Sequence, residues 1–318
     1  MDLKSNIYVA GHRGLVGSSI VRALEFHGYK NILKVPHSEL DLTQSNEVDK
    51  FFKENKIDYV FLSAAKVGGI IYNAKFQADF LFDNLAISAN VIKAAANNNV
   101  KKLLYLGSSC IYPKHAPQPI KEEYLLTGPL EPTNEGYAIA KIAGLKLCEK
   151  YREQYNRDFI SVMPTNLYGP FDNFHPEHSH VIPGLIRRFH YAKINKDKNV
   201  IIWGTGTPRR EFLYVEDLAN ALVKVMNLDS DLVYKPGTVS TINVGTGKDI
   251  SILDLATQIK DVVGFEGEIV CDASKPDGTP RKVLDVSRIT NLGWQPKVSL
   301  AEGLRTVYDW ALSNGSFV

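Results

Sequence analysis

Cysteine is scarce in this sequence of 318 residues, with only three: Cys110, Cys148 and Cys271. An odd number of cysteines without C-x-x-C spacing argues against a disulfide framework and against a cysteine zinc site. No apolar run approaches the roughly 20 residues that span a bilayer, and the first residues lack the apolar core of a signal peptide. We therefore expect a cytoplasmic protein with no membrane partner.

Charge of one sign is also lacking, since the net charge is +2. Nothing in this balance indicates a nucleic-acid partner. With 44% hydrophobic and 23% charged residues, the composition is that of a globular protein. The length allows a large core in one domain or in two closely joined domains.

Glycines follow the first predicted strand, Asn6 to Ala10, in the spacing G-x-x-G-x-x-G, and a helical pattern follows them. A strand, a glycine loop and a helix in this order are typical of dinucleotide binding, because the helix amino terminus faces the pyrophosphate. A plain glycine turn is the less favoured alternative. The predicted cofactor-binding residues of this loop are Gly11, Arg13, Gly14, Leu15, Val16 and Gly17.

The second predicted strand, Asn31 to Val35, ends near His37 without an acidic residue. An NAD enzyme usually has Asp or Glu there to accept from the ribose 2′-hydroxyl. Positive groups at His37 and Arg13 suit a 2′-phosphate instead, so we predict NADP(H) as the cofactor. Asp41 either contacts the adenosine side or caps the helix that begins near Gln44.

Strands and helices alternate along the chain, with further strands predicted at Ile57 to Leu62, Leu103 to Leu106 and Ile242 to Val244. This order predicts an α/β fold: a Rossmann doubly wound parallel sheet with a smaller α/β substrate-binding domain. The stretch from Glu211 to Asp217 is predicted to begin a helix. The expected domains are residues 1–165, with a returning segment at about 211–249, and residues 166–210 with 250–318.

Ser108 follows the predicted strand that ends at Leu106, and Tyr137 and Lys141 lie four residues apart on a predicted helix. Residues four apart share a helix face, so the ammonium of Lys141 can approach the Tyr137 phenol. A cation there is expected to lower the phenol pKa, as a proton donor in carbonyl reduction needs. Such a pair alone is weak evidence; its position after the glycine loop and Ser108 strengthens it.

Long blocks of this sequence resemble the extended short-chain dehydrogenase/reductases: GHRGLVGS, SAAKVGGI, LGSSCIYP, EPTNEGYAIAKIAGLKLCE, SVMPTNLYGPFDNFHPEHSHVIP, WGTGTPRREFL, INVGTG and ASKPDGTPRK. The blocks extend over essentially the whole chain. The resemblance is to members that epimerise a GDP-sugar ketone at carbons 3 and 5 and reduce it at carbon 4 with NADPH. It also implies a homodimer, formed through the helix at Ala86 to Ala96 and the helix of Tyr137.

The resemblance implies the roles of further residues. Cys110 and His180 are the expected proton-transfer pair, with acid and base left open, beside Ser108, Tyr137 and Lys141. Further cofactor-binding residues implied by it are Lys141, Pro164, Asn166, Leu167 and His180. The GDP-sugar substrate is assigned to Arg188, Trp203, Arg210 and Asp277, within a basic set that also holds Arg187, Arg209 and Lys282.

Three alternatives accompany this interpretation. His175, His178 and His180 invite a zinc site, but Pro176 makes a regular ligand-bearing helix unfavourable and no metal is predicted. A nucleotide-sugar 4-epimerase or 4,6-dehydratase would share Tyr137 and Lys141, although a dehydratase typically has an Asp-Glu pair where this chain has Ser109 and Cys110, and a 4-epimerase does not need Cys110 with His180. A non-catalytic NADP-binding regulator would usually lose the tyrosine or the lysine. In related enzymes Arg is expected where His37 stands, which predicts a narrower preference for NADP.

Overall fold

The structure, a computed structural model, describes residues 1–176, 178–234, 240–275 and 277–317, with Ile70 and Ile71 described as backbone only. The strands of these residues are β1 (Ile7–Ala10), β2 (Ile32–Leu33), β3 (Tyr59–Leu62), β4 (Lys102–Leu106), β5 (Asp158–Pro164), β6 (Asn166–Tyr168), β7 (Asn199–Trp203), β8 (Arg209–Tyr214), β9 (Thr241–Val244), β10 (Asp249–Ser251), β11 (Glu268–Asp272) and β12 (Arg281–Lys282).

The helices of the same residues are α1 (Leu15–Phe26), α2 (Ser45–Glu54), α3 (Ile70–Lys75), α4 (Gln77–Asn97), α5 (Glu135–Tyr155), α6 (Val181–Asn195), α7 (Val215–Asn227), α8 (Ser230–Val233), α9 (Ile252–Val263), α10 (Ser287–Asn291) and α11 (Leu300–Ser313). In the described part of the chain, no helix has the length and apolar character to cross a membrane.

The central sheet is parallel, in the order β2-β1-β3-β4-β5-β9. Its strands are buried on both faces, as parallel strands covered by helices are. One face packs on α1 and α7, through residues such as Leu24 and Leu222, and the other on α2, α4 and α5, through residues such as Val91 and Leu145. This arrangement confirms the predicted doubly wound α/β fold.

A second sheet is built around β8, which pairs with β6, β10 and β12, while β7 pairs with β11. The prediction that a helix begins at Glu211 is wrong, because Glu211 to Tyr214 belong to β8 and α7 begins at Val215. Those four strand residues are all buried, and a short apolar run has no periodicity that separates a strand from a helix.

The predicted division into two domains stays a prediction. The strand β9, from the expected returning segment, lies beside β5 in the central sheet. The strand β8, which begins just before that segment, lies in the second sheet. Part of the segment, residues 235–239, lies outside the described residues.

Candidate active site

The glycine loop turns sharply between β1 and α1. Gly11 has a φ of +84°, and a Cβ there would lie 2.8 Å from the backbone of Ala64. A Cβ on Gly17 would lie 2.0 Å from the carbonyl oxygen of Gly11, so the helix can approach the strand this closely only with glycine. Packing within the protein therefore explains Gly11 and Gly17.

Gly14 differs from these two glycines. It caps the amino terminus of α1, and a Cβ there would meet only the Gly11 carbonyl oxygen, at an ordinary 3.6 Å. The first turn of α1, which starts at Leu15 and Val16, carries no acidic residue. An exposed glycine at a helix amino terminus forms a cradle that a side chain would fill, and it fits the pyrophosphate of a dinucleotide.

The predicted 2′-phosphate contacts are exposed side chains. Arg13 is exposed, and the His37 side chain is 82% exposed. The Nδ1 atom of His37 lies 3.8 Å from Oδ1 of Asp41. Asp41 also accepts hydrogen bonds from the Thr43 amide and hydroxyl, at 2.9 and 2.8 Å, and these bonds lower its pKa despite partial burial. Helix α2 begins at Ser45, so Asp41 shapes the turn before it.

Ser108 and Cys110 leave the carboxyl end of β4 in a short 3-10 turn. The Ser108 hydroxyl oxygen accepts a hydrogen bond from the Cys110 amide at 3.2 Å, which ties the Ser108 side chain to the Cys110 backbone. Gly107 admits the turn, since a Cβ there would lie 2.3 Å from the Met163 side chain. The carboxyl edge of a parallel sheet is where ligands bind in folds of this kind.

Lys282 in β12 contacts the Cys110 thiol, with 3.5 Å between Nζ and Sγ. Burial alone would raise the thiol pKa, but the Lys282 charge, hydrogen bonds from Ser108 and Lys282, and the charge of His180 outweigh burial. The pKa of Cys110 is therefore lowered, which favours the thiolate. In the sequence Lys282 stands out only as one of several basic residues, because no local pattern joins positions 172 residues apart.

His180 directly precedes α6 and lies with Nδ1 3.8 Å from Oδ1 of Asp172. The nearby Asp172 carboxylate raises the pKa of His180, with burial opposing and Cys110 adding to the rise. His175 and His178 instead stack on each other, with ring centroids 4.4 Å apart. In the described residues, no group of three His, Cys, Asp or Glu side chains is arranged to hold a metal.

Tyr137 and Lys141 lie where predicted, on α5, but their electrostatics differ from the expectation. Burial raises the pKa of Tyr137, Cys110 adds to the rise, and a hydrogen bond with Ser108 partly offsets it. Lys141 lies with Nζ 5.8 Å from the Tyr137 ring centroid and donates to the Leu106 carbonyl oxygen at 2.9 Å. The expectation that the Lys141 charge lowers the Tyr137 pKa is wrong.

The effect of burial on Lys141 itself explains the difference. Burial lowers the pKa of Lys141 from 10.5 to about 7. A lysine that is half deprotonated near neutral pH is a weak source of fixed positive charge, but it is a ready donor and acceptor of protons. Helical spacing gives proximity of two residues, whereas desolvation depends on everything that packs around them.

Pro164, Asn166 and Leu167 lie where β5 passes into β6. Pro164 ends β5, and Asn166 begins β6, where its side chain donates to the Glu211 carbonyl oxygen at 2.8 Å. This contact ties the segment to β8. These residues lie at the carboxyl end of β5, next to the end of β4 in the sheet, so they are in position to line the same cleft.

The four predicted substrate residues lie on the side of the second sheet. Trp203 ends β7 with its side chain 57% exposed, and Arg188 donates to the Ile201 carbonyl oxygen at 2.8 Å. Asp277 holds the turn after Trp203 by accepting from the Thr205 amide and hydroxyl, at 2.9 and 2.7 Å. Arg210 donates to the Thr279 carbonyl oxygen at 2.5 Å, and burial lowers its pKa.

The comparisons with known proteins agree over nearly the full length. Residues 7–245 match the model of the NAD dependent epimerase/dehydratase family. The chain is 56% identical to GDP-L-fucose synthase 1 of Arabidopsis thaliana, covering 98% of this chain and 95% of the relative. It is 55% identical to the GDP-L-fucose synthase of Escherichia coli strain K12, covering 98% of both.

A solved structure supports the same relationship. The GDP-mannoheptose C4 reductase of Campylobacter jejuni, solved with NADP bound, has a TM-score of 0.89 and 40% sequence identity to this chain. The match covers 98% of this chain and 99% of that one.

Proposed function

The chain belongs to the NAD dependent epimerase/dehydratase family, and from this membership we propose that it performs the reaction of the GDP-L-fucose synthases, its relatives at 55–56% identity. The substrate is GDP-4-keto-6-deoxy-D-mannose, which is epimerised at carbons 3 and 5 and reduced at carbon 4. The cofactor is NADPH, consistent with the lack of an acidic residue in the segment Lys34 to Ser38 directly after β2 and with the NADP bound to a structural relative.

One observation carries the proposal: a thiol and an imidazole, each of which shifts the pKa of the other, lie near the hydroxyl groups of a serine and a tyrosine. A simple ketone reductase needs only the serine and the tyrosine. Exchange of protons at carbon needs groups that gain and lose protons near neutral pH, and a thiol and an imidazole have ordinary pKa values of about 8.5 and 6.5.

The pKa directions favour distinct starting states for this pair. The lowered pKa of Cys110 favours a thiolate that removes the proton from carbon. The raised pKa of His180 favours an imidazolium that returns a proton on the opposite face. The negative charge that develops on the ketone oxygen during either transfer is stabilised by the hydroxyl groups of Ser108 and Tyr137.

Reduction follows epimerisation at the same oxygen. NADPH, when bound, supplies the hydride to carbon 4. Tyr137 donates its phenolic proton to the oxygen, and its raised pKa keeps that proton in place until the oxygen becomes basic. Lys141, with a pKa of about 7, is suited to return a proton to the phenolate.

The substrate diphosphate is assigned to Arg188 and Arg210, because guanidinium groups donate two parallel hydrogen bonds to phosphate. Trp203 offers an exposed aromatic face for a ring of the nucleotide sugar. Asp277 is assigned to the same region, where its turn-holding bonds support Trp203.

A homodimer is part of the proposal. The exposed apolar side chains Phe82 on α4 and Ile139 on α5, 69% and 42% exposed, support an interface through these two packed helices. If so, Phe82→Asp gives a smaller species in light scattering than the parent protein; unchanged mass would exclude this face. The cytoplasmic location stays a prediction.

The function is tested by following NADPH absorbance with GDP-4-keto-6-deoxy-D-mannose and identifying the sugar product. We expect NADPH oxidation with GDP-L-fucose as product. Oxidation that yields an unepimerised 4-reduced sugar would assign the chain to the simple C4 reductases. If NADPH binds but is not oxidised, the substrate is a different nucleotide sugar.

A further inference from the structure

Asp172 is a buried carboxylate that the mechanism above has not used as a reacting group. Its side chain is only 5% exposed. Its Oδ1 atom accepts a hydrogen bond from the Asn173 amide at 2.8 Å, while Oδ2 is buried with no hydrogen-bond partner among the described residues. Burial of a carboxylate with an unsatisfied oxygen costs stability, so such a residue needs an explanation.

The backbone before Asp172 is strained. Phe171 has a φ of +68°, which is a rare conformation for a bulky side chain. The Phe171 ring is fixed from two sides, with its centroid 5.1 Å from that of Trp310 and 5.0 Å from the guanidinium carbon of Arg22. These contacts accompany a loop conformation in which the Asp172 side chain is buried, although the Phe171 backbone is strained.

The carboxylate lies against His180, with Oδ1 3.8 Å from Nδ1. His180 needs such support for two reasons. Its side chain is 47% exposed, so the ring has little packing to stop it from turning. It also lies at the amino terminus of α6, where the positive end of the helix dipole disfavours the imidazolium.

We infer that Asp172 is a positioning residue for His180, holding the imidazole by its Nδ1 side so that Nε2 is left to exchange a proton with the sugar. This inference rests on the proposed epimerisation. A carboxylate that orients a histidine and stabilises its protonated form is an established way of fixing a catalytic imidazole. The cost of the buried carboxylate and of the strained Phe171 backbone is then offset by the imidazolium interaction.

The titratable group that faces His180 from a different element is Cys110, whose negative form also favours the imidazolium. Lys282 and Arg210 act on Cys110 from β12 and β8. Replacement of Asp172 by Asn leaves all of these groups in place and removes one charge with almost no change of shape. The effect on His180 can therefore be separated from the effects of its neighbours.

The experiment compares Asp172→Asn with the parent protein in deuterium oxide, following deuterium incorporation at carbons 3 and 5 across pH. We expect the exchange rate to fall about tenfold or more near neutral pH, with kcat affected more than KM. The high-pH fall of the exchange profile should move to lower pH, because His180 without Asp172 loses its proton sooner. Histidine-labelled NMR, assigned with His180→Gln, should report the same lowering of the His180 pKa.

Asp217→Asn is the matched control. Asp217 is also a buried aspartate, and it accepts hydrogen bonds from the Lys297 and Val298 amides at 2.9 and 2.8 Å. Its replacement should lower the melting temperature without moving the pH profile. Asp172→Glu, which restores the charge, should recover part of the exchange rate.

Two outcomes would overturn the inference. One is an unchanged His180 pKa and pH profile in Asp172→Asn. The other is an equal loss of two activities, deuterium exchange and reduction of the already epimerised ketone. Reduction does not need His180 to protonate carbon, so it should be spared. If the parent protein shows no exchange, the proposed epimerisation is rejected. The NMR measurement of the His180 pKa then still tests whether Asp172 acts on His180.

Discussion

The two ends of strand β4 each meet a buried lysine, and the two lysines are held in opposite ways. At the amino end, the Lys102 side chain is 5% exposed, donates to the Leu228 carbonyl oxygen at 2.6 Å and lies 3.4 Å from Oδ2 of Asp158. At the carboxyl end, Lys141 donates to the Leu106 carbonyl oxygen at 2.9 Å. Within the described residues, no carboxylate lies within ion-pair distance of Lys141.

The difference separates stability from chemistry along a single strand. An ion pair with Asp158 offsets part of the cost of burying Lys102. Lys141 has only a neutral partner, so burial brings its pKa to about 7. At the carboxyl edge of the sheet, burial shifts the pKa of Lys141, and no ion pair in the described part of the chain offsets the shift. Groups with shifted pKa values are the ones suited to proton transfer.

The largest expected effect comes from Lys141→Met, which removes the proton source behind Tyr137. We expect ketone reduction to fall by about 10²- to 10⁴-fold, the usual contribution of a positioned acid or base. Lys102→Met is the matched control, since it removes an ammonium from the other end of β4, and its reduction rate should stay close to that of the parent. Single-turnover NADPH oxidation measures the reduction rate of both variants. Similar losses in the two would show that the lysines at the two ends of β4 do not differ in their role in reduction.

The second prediction concerns the carboxyl end of β4, where one set of groups is proposed for epimerisation and another for reduction. Cys110→Ser should lose epimerisation by about 10²-fold or more, because a serine hydroxyl is far less acidic than a thiol, while some direct reduction of the ketone remains. Product analysis distinguishes the two activities. GDP-L-fucose formed at the parent rate would show that Cys110 is not the proton-transfer group.

The third effect is on stability and depends on pH. The pKa of Lys141 is about 7 in the folded protein and ordinarily 10.5. Between these values the unfolded chain binds more protons, so this group makes the free energy of unfolding rise with pH. Lys141→Met lacks that slope, so it should be more stable than the parent near pH 7, with the advantage shrinking by at most about 1.4 kcal/mol per pH unit above that.

Urea denaturation at several pH values between about 7 and 9 measures this convergence. Lys102→Met should instead be less stable than the parent by about 2 kcal/mol, because the Leu228 carbonyl loses its side-chain donor and Asp158 loses an ion-pair partner, although it keeps Arg152. A constant difference between Lys141→Met and the parent would mean that Lys141 does not titrate in this range.

This contrast also marks what the sequence could predict. Three local patterns predicted the fold and the candidate residues at the carboxyl end of β4. They are the glycine spacing before α1, the alternation of strands and helices, and the order Ser108, Tyr137, Lys141. The partners of Cys110 and His180 were not foreseen, because Lys282 and Asp172 come from other elements and carry no motif of their own. The effect of Lys141 on the pKa of Tyr137 was misjudged because desolvation is a property of the packed chain.

The smallest effect is expected at the exposed rim of the carboxyl edge, where His37 lies after β2 with 82% of its side chain exposed. His37→Arg should raise the NADPH preference over NADH by about fivefold or less, because exposed charge contacts contribute about 1 kcal/mol or less. Asp41, 3.8 Å from the imidazole, would also compete for the new guanidinium. Ratios of kcat/KM for the two cofactors measure the change, with His27→Arg, an exposed histidine at the end of α1, as the control for added charge. Equal ratios in all three proteins would mean that the 2′-phosphate is held elsewhere, and Arg13 in the glycine loop would become the residue to replace.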